Sequence, residues 1–183
     1  MNDSNTINGF QRDDLQRIKK SLQTNSEAAQ FKLRAKNRWI DGAQSISLVS
    51  SFKGMGREFG ARSAPFIQTT DAPLILAGKD LGPTPMEELL VALAASVTTT
   101  LAYRASVVNL SVQEIECNVE GDADFQGVMN GSEPTSSGFK QIRVTVRVKS
   151  DASAEQLTAL CAASPVLAAL TRPVAVSIAV EKN

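Results

Sequence analysis

The stretch GPTPMEELLVALAASVTTTL, Gly82–Leu101, predicts the start of a long buried helix. Thr84 and Glu87 have the spacing of a capping box, in which the Thr84 hydroxyl accepts from the Glu87 N–H and the Glu87 carboxylate accepts from the Thr84 N–H. Pro85 suits the first helical turn. Apolar residues then occupy nearly every face, which indicates a helix covered by more than one layer and favours a second subunit. We expect the helix to end near Asn109, because asparagine tolerates the left-handed conformation of a helix cap.

A serine lies in the middle of this apolar helix. Ser96 shares one helical stripe with the residues three, four and seven positions away, which are Leu89, Ala92, Leu93, Thr99, Thr100 and Tyr103. Its hydroxyl is therefore a candidate functional group.

The part of the chain before this helix predicts an extension followed by strands. Residues 1–30 are expected to be an N-terminal extension, disordered over residues 1–9 and then forming a short amphipathic helix with Leu15, Ile18 and Leu22 on one face. From Phe31 to Trp39 the apolar period is two, which predicts a strand with its basic residues facing outward. A second strand is expected around residues 45–52, and a third leads to the turn TTDAP.

The part after the helix predicts a hairpin, a second helix and a last strand. EIECNVEG and KQIRVTVRVK alternate as two strands, joined by a long loop over residues 122–139. Ser153 and Gln156 form a second capping box before a helix from about Ala154, and Ser164-Pro165 marks a new helical start. The segment VAVSIAVEK closes the chain as a strand. This order predicts one α+β domain over residues 31–183, with curved, mainly antiparallel sheets packed on the long helix.

Charge and composition exclude several classes of function. Lys plus Arg and Asp plus Glu both number 19, so no net field favours nucleic acid or an anionic membrane. The basic residues of the first strand are Lys32, Arg34, Lys36 and Arg38. We interpret them as a solvated face that the acidic stripe Glu114, Glu116 and Glu120 could neutralise. No signal peptide or membrane-spanning run is visible, so we expect a cytoplasmic protein with free thiols. No cofactor is expected, because no Gly-rich phosphate loop is present.

Histidine is absent. This excludes Ser-His and Cys-His catalysis and most zinc or iron sites, and we expect no bound metal. Of the two cysteines, Cys117 is expected to face the core of its strand, and Cys161 continues the apolar stripe of Leu157 and Leu160.

Four segments together resemble the OsmC/Ohr family of osmotically inducible and organic hydroperoxide resistance proteins. The motif GKDLGPTPMEELLVALAAS is similar to a family motif that ends in cysteine, and AASPVLAALTRPVAV resembles the second family motif, in which Cys-Pro opens the last helical turns. TTDAPLILAG and FKQIRVTVRV also lie where the family has them. The resemblance covers residues 32–181.

The resemblance implies an intertwined homodimer with two active sites at the subunit interface. Active members reduce organic hydroperoxides with one cysteine, resolve the product with a second, and are recycled by dithiols. Carried over by position, the two cysteines fall on Ser96 and Ser164. The activating glutamate falls on Glu87, with Glu88 behind it, and the arginine falls on Arg62 or, less securely, Arg57.

Serine cannot take over the peroxidase chemistry of cysteine, because its oxygen stays protonated and has no sulfenate equivalent. Serine hydrolysis would need a base, and only Lys79 lies near the motif. Glu87 precedes Ser96 by nine residues, or about 13.5 Å along a helix, so it would have to serve the pocket of a partner subunit or act only as a cap.

These observations predict a family member without cysteine-based peroxidase activity that keeps an interface pocket for a small apolar or acyl ligand. The alternative is a thiol-dependent peroxidase or redox protein that uses Cys161, with a dithiol or glutathione as its partner.

Overall fold

The computed structural model describes residues 5–60, 62, 64–130 and 138–182. The chain divides into two compact units, residues 1–90 and 91–183, and the boundary falls within the long helix. Both units combine helices with strands, and every strand pair in the described residues is antiparallel. The predicted α+β class is therefore confirmed.

The described residues of unit 1 form eight short strands and one α-helix before the long helix begins. In chain order they are β1 Thr6–Ile7, β2 Phe10–Gln11, α1 Arg12–Thr24, β3 Lys32–Leu33, β4 Lys36–Asp41, β5 Gln44–Val49, β6 Phe52–Gly54, β7 Arg57–Phe59 and β8 Phe66–Thr70. A 3-10 turn, Leu74–Leu76, precedes the helix α2, Pro85–Val107.

The N-terminal extension is more ordered than its composition predicts. Strands β1 and β2 form a tight hairpin whose turn residues Asn8 and Gly9 both have positive φ, as a two-residue hairpin turn requires. The expectation of disorder is therefore wrong for residues 5–9, while residues 1–4 lie outside the described residues. Helix α1 follows as predicted, with Leu15 buried.

The predicted strand from Phe31 to Trp39 is wrong, because the chain forms two strands there. β3 pairs with β6, whereas β4 pairs with β5 in a different sheet. The ring of Phe31 lies over Gly54 and stacks beside Phe52, so the first half of the segment follows the β6–β7 hairpin. Its apolar side chains stay exposed, including those of Leu33 and Trp39.

The predicted turn after β8 is organised by one buried carboxylate. Asp71 is 1% exposed, and its oxygens accept from the backbone N–H groups of Ala72, Lys79 and Leu81. The Asp71 N–H in turn donates to the Pro83 carbonyl at 3.2 Å. These bonds close the loop at the point where α2 begins.

Both predicted ends of α2 are confirmed. Thr84 and Glu87 make the reciprocal bonds of the capping box, and Asn109 has a φ of 59°. The Leu110 N–H donates to the Ala105 carbonyl at 2.8 Å, and the Asn109 N–H donates to the Ser106 carbonyl at 3.1 Å. This pair of bonds is a Schellman motif. By length and composition α2 could also cross a membrane, but core helices of soluble proteins pass the same test.

Within the helix only one stripe is buried. It comprises Leu93, Val97, Leu101, Ala105 and Ser106. Other apolar residues of α2, such as Val91 and Tyr103, stay exposed.

Unit 2 is built on a long hairpin of β9, Glu114–Asp124, and β10, Gly138–Lys149. The predicted loop is shorter than expected, because both strands extend into it. It contains the short helix α3, Gln126–Asn130, while residues 131–137 lie outside the described residues.

Two glutamates of the acidic stripe of β9 form ion pairs within the hairpin. Glu116 lies 3.4 Å from Arg147 of β10, and Glu120 lies 3.7 Å from Arg143. For Glu116 and Glu120 the structure thus gives partners on β10, and the interpretation that the stripe neutralises the basic residues of the first strand stays a prediction. In unit 1, Arg34 is instead paired with Glu58.

Two helices follow the hairpin, and the last strand is missing. α4, Ala154–Cys161, begins at the predicted capping box, and α5, Pro165–Thr171, begins at Ser164 at an angle of 75° to α4. The segment VAVSIAVEK forms neither helix nor strand. It finds no sheet edge among the described residues, so Val176, Ile178 and Val180 are 82%, 88% and 89% exposed.

Candidate functional site

Unit 2 brings together the two serines that the resemblance singled out. Ser96 Oγ of α2 lies 2.8 Å from Ser164 Oγ at the start of α5, although 68 residues separate them. Ser164 is fully buried. The residue pattern alone placed each serine on its helix, and only the resemblance, which puts an attacking and a resolving cysteine at these positions, implied that the two side chains meet.

The start of α5 explains how the pair is held. Ser164 is the N-cap of α5 and its side chain accepts from the Leu167 N–H at 3.2 Å. The Val166 N–H points to Ser96 Oγ at 3.4 Å. Both oxygens thus use backbone donors that a helix start leaves without partners.

No general base accompanies these hydroxyls within the described residues. The partners of both are each other and the two backbone N–H groups. A serine without a base stays protonated, so the pair is suited to binding and to structure rather than to nucleophilic attack.

An apolar cavity of about 570 Å³ lies in the same unit. Its walls include three valines of β10, residues of α4, Val97, which follows Ser96, and Leu167, which lies three residues after Ser164. The alternation of β10 predicted that its valines share one face, but it carried no signal for a cavity. The volume is within the range of small-molecule sites.

Cys161 lines this cavity, but its thiol is not activated. Burial raises the pKa of Cys161 above its usual value, and the neighbouring Cys117 raises it further. Burial also raises the pKa of Cys117, only partly offset by a hydrogen bond with Thr98. Both thiols are therefore protonated near neutral pH and poor nucleophiles.

In unit 1, the Glu87 carboxylate is hydrogen-bonded to Thr84 at the start of its own helix. Its carboxylate accepts from the Thr84 N–H at 2.7 Å and from the Thr84 hydroxyl at 2.8 Å. These two bonds hold the pKa of Glu87 below its ordinary value, with the backbone bond contributing most. Glu88 accepts from Gln68 Nε2 at 2.6 Å. Service to a partner's pocket stays a prediction for Glu87.

The cationic candidates in unit 1 have other contacts. The Arg62 guanidinium lies 4.7 Å from the centre of the Phe66 ring, and that of Arg57 lies 4.6 Å from the Phe59 ring. Lys79 Nζ lies 2.6 Å from Asp41, and this bond raises the pKa of Lys79. A serine–lysine mechanism needs a lysine with a lowered pKa, so the structure argues against that hypothesis.

One organising residue was missed in the sequence. The sequence predicts Asp71 only as part of a turn, yet its carboxylate positions the loop that leads into the capping box of α2. The available signal was an aspartate at the start of a turn, where its oxygens can accept the following N–H groups.

Comparisons with known proteins agree with the resemblance. A family model described as OsmC-like protein matches residues 78–179, a range that includes Glu87, Ser96, Cys117, Cys161 and Ser164. No curated protein matches the chain.

Solved structures share the fold. An OsmC-like protein from Mycoplasma pneumoniae is 18% identical with a TM-score of 0.56, covering 76% of this chain and 87% of that one. An osmotic stress induced and detoxification response protein from Psychrobacter arcticus is 12% identical with a TM-score of 0.54, covering 73% and 84%. An organic hydroperoxide resistance protein OsmC from Legionella pneumophila is 15% identical with a TM-score of 0.49, covering 76% and 88%.

The fold comparison rests on the first two structures. The family match extends over more than half of the chain and includes both serines, α2 and the hairpin. The protein belongs to the OsmC-like family.

Proposed function

We propose that this protein has no cysteine-based peroxidase activity and binds a small apolar or acyl ligand in the cavity of unit 2. The observation that carries the proposal is the hydrogen bond between Ser96 and Ser164. Two oxygens stand in contact at the positions where the family resemblance places two sulfurs.

Without sulfur at positions 96 and 164, thiol-dependent peroxide reduction cannot proceed at these positions. In the thiol mechanism a thiolate attacks one peroxide oxygen and becomes sulfenic acid as the alcohol leaves. The second thiol then condenses with the sulfenic acid, releasing water and forming a disulfide. A protonated hydroxyl can perform neither step.

Ligand binding is supported by the character of the cavity. Valine and leucine side chains make up much of its wall, and its polar groups include the hydroxyl of Thr158. Burial of an apolar ligand contributes about 25 cal/mol for each Å² removed from water.

A homodimer belongs to the same proposal. One stripe of α2 is buried while Val91 and Tyr103 are exposed, and Val176 and Ile178 of the C-terminal segment lie almost fully in water. A second copy could cover both surfaces. Light scattering should give twice the chain mass, and Val176→Glu should weaken the dimer much more than Ser177→Glu, because only Val176 exposes a large apolar side chain. A monomeric wild-type protein would contradict this part.

The chemical part is tested by hydroperoxide consumption with a dithiol as the reductant. We expect no turnover by the wild-type protein and turnover by Ser96→Cys/Ser164→Cys. Turnover by the wild type that disappears in Cys161→Ala would establish the alternative redox function at Cys161. Turnover that survives the loss of both native cysteines would refute the argument from sulfur.

The binding part is tested with the neutral apolar dye Nile red and by mass spectrometry of co-purified small molecules. Ala162→Leu adds bulk to the cavity wall and should weaken dye binding, whereas Ala169→Leu, the same change at an exposed position of α5 that does not line the cavity, should not. Equal dye binding by both variants would place the ligand elsewhere.

A further inference from the structure

Unit 1 contains a second cavity of different character. It measures about 330 Å³ and is lined by three cationic side chains, Arg34, Lys36 and Arg62, and by two serines, Ser50 and Ser51. Leu48, Ala35 and Pro65 form its apolar part.

The positive charge of this cavity is only partly neutralised. Arg34 donates two hydrogen bonds to Glu58 and is thereby paired. Lys36 and Arg62 form no ion pair with any residue that the structure describes. The chain as a whole carries no net charge, so two unneutralised cations at one cavity are a local excess.

Arg62 is held in place by aromatic rings. Its guanidinium lies 4.7 Å from the Phe66 ring centre and 5.7 Å from that of Phe52, and it donates to the Val49 carbonyl at 3.4 Å. A guanidinium has five N–H donors, so this single bond leaves several for another acceptor. A stacked arginine loses less side-chain freedom when it binds an anion.

We propose that this cavity is a binding site for a small organic oxyanion, a carboxylate or a phosphate monoester. Arg62 and Lys36 bind the charged oxygens, and the hydroxyls of Ser50 and Ser51 donate additional hydrogen bonds. The short apolar body of the ligand lies against Leu48 and Pro65. All residues that line this cavity belong to unit 1.

The recognition follows from elementary electrostatics. Hydrogen bonds between a cation and an oxyanion are shorter and about twice as strong as neutral ones, and a guanidinium matches two oxygens at once. The volume limits the ligand to a small molecule. Because the cavity is open to water, affinity should fall as salt screens the two cations.

Isothermal titration calorimetry of the full-length protein at low salt tests the site with three probes, inorganic phosphate, phenyl phosphate and hexanoate. Arg62→Gln and Lys36→Gln are expected to weaken binding about tenfold or more, which corresponds to about 1.4 kcal/mol. Arg38→Gln is the matched control, because Arg38 lies on the same strand as Lys36 and is exposed but does not line the cavity. It should change affinity less than about twofold.

The probes distinguish the two ligand sources. Binding of phenyl phosphate but not hexanoate assigns a phosphate site, and the reverse assigns a carboxylate site. No binding of any probe at millimolar concentration, or an equal loss in Arg38→Gln, overturns the proposal, since the latter would show only a diffuse basic surface.

Two further measurements keep the result unambiguous. Arg62→Lys keeps the positive charge but loses the planar guanidinium, so it should bind the anionic probes with intermediate affinity. If Arg62→Gln fails to fold, the affinity of Lys36→Gln tests the proposal instead. Nile red binding should be the same in Lys36→Gln as in the wild type, because Lys36 does not line the apolar cavity. Failure of this site and failure of the proposed function are therefore observed separately.

Discussion

Replacing Ser164 by alanine should destabilise the protein more than the loss of an ordinary helix cap. Ser164 is fully buried, caps α5 through the Leu167 N–H and is bonded to Ser96. Loss of an N-cap costs about 1 kcal/mol. Loss of a buried hydrogen bond costs about the same again. We therefore expect Ser164→Ala to lower the free energy of unfolding by about 2 kcal/mol, and Tm by about 4–8 °C.

Ser153→Ala is the matched control. Ser153 also caps a helix, α4, with a full capping box, but it is exposed, and its other side-chain hydrogen bond is with the Glu155 carboxylate. Its replacement should cost about 1 kcal/mol. The difference between the two variants isolates the bond between the serines.

A double-mutant cycle measures that bond directly. Ser96→Ala should cost about 1 kcal/mol, and the double variant should cost no more than Ser164→Ala alone, so the coupling energy should be about 1 kcal/mol. Urea unfolding followed by circular dichroism gives the four values, compared at one protein concentration because assembly stabilises by mass action. Coupling below about 0.3 kcal/mol would refute the contact, since distant sites add within that range.

Three further predictions concern the start of α2 and its loop. The pKa of Glu87 is lowered in the folded state, so its contribution to stability is present above the unfolded pKa and is lost as pH falls through the folded value; Tm should therefore drop less between about pH 5 and pH 3 in Glu87→Gln than in the wild type, and an equal drop would contradict the cap. Asp71→Asn should lower Tm, because one carboxylate oxygen is replaced by an NH2 donor that faces backbone N–H groups. Asp80→Asn should leave Tm unchanged, since Asp80 is exposed and asparagine tolerates its positive φ. Equal Tm values for the two variants would rule out the role of Asp71. Gly78→Ala should cost about 3 kcal/mol, because a Cβ would overlap the Ala72 carbonyl, whereas Gly60→Ala, with open space around it, should stay within about 0.5 kcal/mol; denaturation of the two variants checks this, and a tolerated Gly78→Ala would show that the loop can move.

Helix ends were predictable because their determinants are local. The capping boxes at Thr84 and Ser153 and the cap at Asn109 each depend on residues within a few positions of one another. Each was correctly placed from the sequence alone.

Strand partners were not predictable, because they depend on distant residues. The apolar residues from Phe31 to Trp39 do recur with a period of two. However, Phe31 packs against Phe52 and Gly54, and the segment forms two strands that belong to different sheets. The C-terminal segment has the pattern of a strand and lacks a sheet edge among the described residues. An apolar period of two predicts that a segment can pair, and it carries no information about which edge receives it.

The same limit applies to the candidate sites. Ser96 and Ser164 were each identified by resemblance, but their contact at 2.8 Å depends on the packing of two helices. From the sequence, Lys36 is one of the basic residues of the first strand, and Arg62 is a position to which the resemblance carries the family's arginine. Only the fold places the two side chains at one cavity. Composition could exclude histidine chemistry outright, because an absent side chain is absent in every fold.

Stability and chemistry make different demands on the serine pair. A hydroxyl at position 164 is among the strongest N-caps and can donate and accept at once, so the pair stabilises the start of α5 as well as any side chain would. A thiol is a weaker hydrogen-bonding group, but it can be oxidised and reduced reversibly. Ser96→Cys/Ser164→Cys should therefore lose stability while it gains peroxide turnover. Stability should fall and peroxide turnover should rise together only if the two hydroxyls serve to stabilise the fold at positions where thiols would serve catalysis. A double variant that is both less stable and inert would show that the surrounding pocket lacks the groups that activate a thiol.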